Sequence, residues 1–216
     1  MAAPSVPKSK LVPNPKFAQP ATHEQIERAA ARLEEHGIHA VVVPNRAEAL
    51  RTVLSMIPEH SEVLALASET IGQVGLAKEV DESGKFVSLR KKLYALDRKT
   101  QGREMRQIGQ SPDVAVGSVH AVTEEGDLLI ASATGSQLGP DSFGAGKVIW
   151  VVGAQKVVPT LLDGLQRLRE YSYPLEDARA LTAYGMNSGL NKILVISREI
   201  NPGRANVVLV EEVLGF

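Results

Sequence analysis

Cysteine is absent from the 216-residue chain. Its absence excludes a disulfide framework, a thiolate nucleophile and any Cys-ligated zinc or iron–sulfur site held by the chain itself. Aromatic residues make up only 4%, so a core has to be assembled from Val, Leu, Ile and Ala. Neither charge sign dominates: 24 basic and 25 acidic side chains leave a formal net charge of -1. Without a long-range field, a nucleic-acid or membrane-surface role lacks its electrostatic footing. No uninterrupted apolar run is long enough to insert into a bilayer. The opening 20 residues, with Lys8, Lys10, Lys16 and five prolines, lack the apolar stretch of a signal peptide. The expected location is therefore the cytoplasm. His23, His36, His39, His60 and His120 offer no pair at helical ligand spacing, so no metal is expected, and the sequence calls for no cofactor.

What is present is enough for a sizeable core. Apolar residues reach 44%, and the length suits one α/β domain over residues 21–216, preceded by an extended arm over 1–20. Proline favours open backbone in that arm, which predicts disorder or a position against a neighbour. From Thr22 the chain alternates. Thr22 and Gln25 have capping-box spacing and Gly37 supplies a stop, which predicts a first helix. A β-branched strand, Ile38–Val43, follows. Asn45 and Glu48 open a second helix to about Ile57, and Val63–Ala67 is a second strand. Ser68-Glu69-Thr70 leads into a helix through about Val80. The charged stretch 81–110 reads as a solvated helical face or as a lid. Val114–Gly117 is a core strand. Val119–Thr123 and Leu128–Ala131 flank Glu124-Glu125-Gly126-Asp127 as a hairpin. Lys147–Gly153 is a strong central strand, helices follow Pro159 and Pro174, and Ile193–Ser197 and Val207–Val210 complete the pattern. The alternation predicts a three-layer α/β/α fold with a mainly parallel sheet and an added β-hairpin.

In such sheets ligands bind beyond the carboxyl ends of strands. Two segments there carry suitable atoms. Ser68 and Thr70 offer hydroxyls beside a helix start that favours anions; the plainer explanation is that Ser68 caps the helix. Ser132, Thr134, Gly135, Ser136 and Gln137 form a small-residue loop whose amides suit an anion nest; the plainer explanation is an unoccupied polar turn. Neither matches a phosphate loop or a dinucleotide fingerprint. Lys147, Lys156, Arg198 and Arg204 lie near predicted strand ends as candidate anion partners; for each taken alone, a surface charge or salt-bridge partner is the plainer explanation. Glu69 and Glu124 are the candidate catalytic carboxylates, Glu69 by its place beside the first loop and Glu124 by its place on the hairpin. His120 is a candidate cleft residue or a packed imidazole. No Ser/His/Asp triad can be assembled from spacing.

Four segments resemble a known family, one of them Ala131 to Gln137. Val116-Gly117-Ser118-Val119-His120-Ala121-Val122-Thr123-Glu124-Glu125-Gly126-Asp127-Leu128, the run Val148 to Pro159 containing Gly153-Ala154-Gln155-Lys156, and the tail from Asn201-Pro202-Gly203-Arg204 to Phe216 are similar to the lactate utilization (LUD) domain family, in its protein C-like branch. The resemblance implies the fold of glucosamine-6-phosphate isomerase, ribose-5-phosphate isomerase, CoA transferases and 5-formyltetrahydrofolate cyclo-ligase. It also implies a part in bacterial L-lactate oxidation beside iron–sulfur partner proteins. Gln155 stands where many members have Glu, which weakens any carboxylate role there. Glu124-Glu125-Gly126 resembles the Glu-x-Gly of some CoA transferases. Three readings follow: a lactate-catabolism component binding a small carboxylate or phosphorylated ligand; a stand-alone isomerase, CoA-transferase or cyclo-ligase type enzyme; or a non-catalytic regulatory module. Self-association through the arm or the final strand is compatible with each.

Overall fold

The structure is a computed structural model and describes residues 9–216. Among these residues ten strands form two sheets. The larger has six, in the order β1 (His39–Val43), β10 (Ala205–Val210), β7 (Lys147–Gly153), β4 (Val114–Gly117), β2 (Glu62–Ala65), β3 (Val87–Ser88), and every pairing in it is parallel. Parallel strands are covered on both faces, which is why β7 and β10 read as unbroken apolar runs. Alternation along β7 divides its side chains between two cores. Val148, Trp150 and Val152 join Ile26, Ala29 and Leu33 of α1 (His23–Glu35). Ile149 and Val151 join Val53 of α2 (Arg46–Met56), Ile71 of α3 (Glu69–Val74) and Val80 of α4 (Leu76–Glu82).

Local chemistry starts these helices where the sequence indicates. Thr22 and Gln25 form the reciprocal capping box of α1, and Asn45 accepts from the Glu48 amide at the head of α2. The helix expected from Thr70 to Val80 is instead two short ones. Gly75, at φ 82°, ends α3 in the left-handed region and α4 begins again beyond it.

The hairpin β5 (Ala121–Thr123) and β6 (Leu128–Ser132) turns through Gly126 at φ 93°. It is the centre of a second sheet, in the order β8 (Val157–Val158), β5, β6, β9 (Lys192–Ile196). Val122, Leu128 and Ile130 face the same core as Trp150. Leu129 and Val158 face Leu168, in the π-turn Leu168–Ser172 that joins α7 (Leu161–Arg167) to α8 (Tyr173–Tyr184). The charged segment 81–110 holds α5 (Leu89–Tyr94) and α6 (Gly102–Gln110), packed through Leu89, Leu93 and Ile108 on Leu64 and Leu66 at the end of β2.

The described part of the arm packs on its own domain. Phe17 is buried against Leu168 and Leu129, Asn14 Nδ2 donates to Glu170 at 2.7 Å, and Ser9 Oγ donates to Asp177 at 2.5 Å. Residues 1–8 lie outside the described residues.

Candidate functional site

Strand order fixes where a cleft opens. From the end of β2 the chain turns into α3, on one face of the large sheet; from the end of β4 it crosses to the second sheet, on the other. Connections that diverge from neighbouring parallel strands leave a crevice at their carboxyl ends. A cleft of about 520 Å³ lies there. Its floor is Thr70, Ser118, Val119, His120 and Lys156; one wall is Ser132, Ala133, Thr134, Ser136 and Gln137, another is Arg90 and Tyr94 of α5, and α8 supplies Glu176, Arg179 and Tyr184.

Lys156 is the central basic group. It follows β7 in a 3-10 turn, Ala154–Lys156, and is 2% exposed. Its Nζ contacts Thr70 Oγ1 at 2.8 Å, Ser118 Oγ at 3.0 Å and the Val119 carbonyl at 3.2 Å. No carboxylate among the described residues lies within ion-pair distance of it. Burial, and then the positive charge of Arg167, push its pKa well below the ordinary lysine value. Arg167 lies behind the floor at 0% exposure. It donates to the carbonyls of Gln155 (3.1 Å) and His120 and to Ser172 Oγ at 2.8 Å, and its Nη2 has no partner. Burial lowers its pKa to about 10. Both cations lack an acidic partner among the described residues, whereas buried charges are ordinarily paired.

His120 Nδ1 accepts the Ala131 amide at 3.1 Å, so the ring proton resides on Nε2. Burial, then Lys156 and Arg167, hold the pKa of this imidazole down to about 3, and it is neutral through the physiological range. Gln155, which precedes Lys156, reaches the other way. Its amide exchanges hydrogen bonds with the Leu214 backbone and donates to the Gly215 carbonyl at 3.0 Å, fastening the tail that brings Phe216 to the cleft.

The sequence-derived candidates divide sharply. Ser68, Glu69, Thr70, Ser132, Thr134, Ser136, Gln137 and Lys156 line this same cleft, whereas Gly135, in the same loop, does not. Ser68 stands at the cap position of α3 but makes no side-chain cap bond. Glu69 is exposed at the mouth, 3.9 Å from Arg179, which forks onto Glu176. The loop is less of an amide nest than its composition implies. The Gly135 and Ser136 amides are spent on the Ser132 and Thr134 hydroxyls, and Lys192 and Asn191 occupy the Thr134 and Ala133 carbonyls.

Four candidates lie elsewhere. Lys147 begins β7 at the opposite end of the sheet, where Nζ donates to Met56 O at the close of α2. Arg204 precedes β10 at that same end, donating to Glu199 at 2.7 Å and to the carbonyls of Ala145, Pro140 and Asp141. Arg198 is exposed beyond β9. Glu124 is tied to α1 by Gln25 and Arg28 at 2.9 and 2.8 Å, outside the cleft. Ser118, Arg167, Arg90 and Arg179 were missed. Ser118 had a usable signal, its place directly after β4; the arginines sit in helices whose packing the sequence does not state.

The model of the LUD domain matches residues 26–210. Among solved structures, a crystal structure of a DUF162 family protein from Deinococcus radiodurans superposes with a TM-score of 0.55 at 14% identity, covering 87% of this chain and 97% of that one. That likeness supports the α/β/α fold. No curated protein matches significantly. No helix among the described residues is long and apolar enough to cross a membrane. On the family match over residues 26–210, the chain belongs to the LUD domain family.

Proposed function

We propose that the chain is a component of bacterial L-lactate catabolism that holds a small anion, carboxylate or phosphorylated, in the cleft beyond β2, β4 and β7. One observation carries this reading: Lys156 is buried at the cleft floor with Arg167 behind it, and neither has an acidic partner among the described residues. An anionic ligand would supply the missing charge, and family membership supports the metabolic context. The reaction class that uses a cleft carboxylate as base or nucleophile has less support, because Glu124 lies outside and Glu69 is exposed beside Arg179. Since the chain has no cysteine, electrons from lactate would pass through cluster-bearing partner proteins. Copurification from lactate-grown cells tests that association.

Calorimetric titration with L-lactate, pyruvate and inorganic phosphate, each in buffers of differing ionisation enthalpy, tests the site. Saturable binding is expected, accompanied by proton uptake as the anion returns Lys156 to its ammonium form. Lys156→Met should abolish it. Failure of all three anions to bind would remove the proposal, and the phosphate arm separates the two ligand chemistries.

A further inference from the structure

We infer that Ser118 and Lys156 form a nucleophile–base pair that hydrolyses a carboxylic ester or thioester of a small acid. The inference rests on the reading of the cleft as an acid site, because the acid released is the ligand class proposed above.

The partner set around Lys156 carries the argument. A neutral amine has two N–H bonds and one lone pair. The Val119 carbonyl, 3.2 Å from Nζ, can only accept. Thr70 Oγ1, 2.8 Å away, directs its own proton to the Leu214 carbonyl at 3.2 Å and so accepts from Nζ as well. Those two take both N–H bonds. The lone pair is left for the third neighbour, Ser118 Oγ at 3.0 Å, whose proton rests on the Val119 carbonyl at 3.2 Å and has to turn from there to Nζ for the pair to act. An ammonium would also find three acceptors here, but it would be a buried charge without a counter-ion. Burial and Arg167 favour the neutral form.

The other candidate bases are eliminated by their contacts. His120 lines the same cleft, but its Nδ1 lone pair is engaged by the Ala131 amide and its other nitrogen bears the proton. Glu176 accepts both arms of the Arg179 fork, and Glu69 is exposed at the mouth. Ser118 itself is half-buried and opens on the cleft. It directly follows β4, where the connections of neighbouring strands diverge. A serine hydroxyl within hydrogen-bond reach of a lone-pair base is the geometry of an activated nucleophile.

The chemistry balances with water as the only co-reactant. Ser118 Oγ bonds to the acyl carbon as its proton passes to Lys156 Nζ. The ammonium returns that proton to the departing alcohol or thiol as the C–O or C–S bond breaks. Water then adds to the acyl-serine ester, giving a proton to Nζ. That proton goes back to Ser118 Oγ as the acid leaves.

The test exposes the full chain to a fluorophosphonate reagent, with intact mass and peptide mapping as the readout across about pH 6 to 9. The same preparation is titrated with L-lactate and pyruvate. One adduct is expected, on Ser118 and absent from Ser118→Ala. Its rate should rise through a single ionisation well below the ordinary lysine range, and fall by about 100-fold or more in Lys156→Met. No adduct on Ser118, or an equal rate in a folded Lys156→Met, overturns the inference. If lactate or pyruvate still binds while Ser118 is unlabelled, only the nucleophile–base pair is lost; if neither binds, both readings fall. Should Lys156→Met not fold, the pH profile of the unaltered protein decides, and a rate showing no such ionisation overturns it.

Discussion

At the amino end of the large sheet, Arg204 is 8% exposed and finds Glu199 at 2.7 Å together with three backbone carbonyls. At the carboxyl end, Lys156 and Arg167 are buried more deeply still and find only hydroxyls and carbonyls. The amino end completes its electrostatics within the chain and is a structural clamp. The carboxyl end leaves positive charge to be met from outside, or discharges it by giving up a proton. The contrast teaches that a buried cation identifies a site by the partner it lacks rather than by its burial.

The comparison breaks most readily at its paired end. Glu199→Ala strands the Arg204 guanidinium in a site where both side chains are 9% exposed. Removing one member of a buried pair costs about 3–5 kcal/mol, and the carbonyl contacts of Arg204 place the expected loss near the lower figure. The melting temperature should fall by roughly 6–12 °C for a domain of this size, with anion binding intact below the transition. An unchanged melting curve would show that Arg204 is satisfied by carbonyls alone and that the two ends do not differ.

Asp141 sharpens the same contrast through pH. Its Oδ1 accepts from Trp150 Nε1 at 2.9 Å, its Oδ2 has no partner, and burial raises its pKa to about 7. A carboxyl whose folded value is raised retains its proton in the folded chain after the unfolded chain has lost it. Its contribution to stability therefore falls as pH rises from about 4 to about 7 and stays low above that. Asp141→Asn removes the titration while keeping the acceptor for Trp150. Thermal melts should show a gain of up to about 4 kcal/mol at pH 8 and little change near pH 4. A gain of the same size at both values would dissociate Asp141 from the pH slope.

Lys156→Met tests the unpaired end and should behave oppositely to Glu199→Ala. A lysine with a lowered folded value is protonated in the unfolded chain over a range where the folded chain has released its proton. Stability then rises with pH between that depressed value and the ordinary 10.5. The variant should lose that rise, lose anion binding, and match or exceed the wild-type stability near neutrality within about 1 kcal/mol. A large destabilisation at every pH would mean that the ammonium is satisfied by its three oxygen neighbours and requires no ligand.

Much of this architecture was legible, for reasons that hold residue by residue. Caps at Thr22 and Asn45 act over three residues, and the apolar run Lys147–Gly153 reports a strand covered on both faces, so both are local signals. The second sheet was only half visible. A hairpin is local, but the pairing of β6 with β9 joins residues about sixty positions apart and leaves no short-range mark. Within the site, the 68–70 and 132–137 segments could be placed from strand direction alone. The same rule, applied strictly, would have separated Lys156, which follows β7, from Lys147, which begins it, and would have set Arg204 at the start of β10. Arg167 was beyond reach, because its burial depends on the His120 and Gln155 carbonyls meeting it in space.

The smallest expected effect belongs to Glu124, and it bears on whether any carboxylate of the hairpin takes part in chemistry. Its oxygens are held by Gln25 and Arg28 on α1, with Arg28 more than half exposed. Exposed pairs of this kind contribute about 0–1 kcal/mol, so Glu124→Ala should lower stability by roughly 0.5 kcal/mol. Binding of lactate or pyruvate and labelling of Ser118 should be unchanged, because the residue faces α1 and the cleft opens on the far side of the β5–β6 hairpin ends. A tenfold or larger loss of either would require the hairpin turn to communicate with the floor through β5, where Val122 and Thr123 pair with Val157 and Val158 just beyond Lys156. In that case the carboxyl end of the sheet would extend further than the cleft itself, and Glu124 would act as a positioning residue for Lys156.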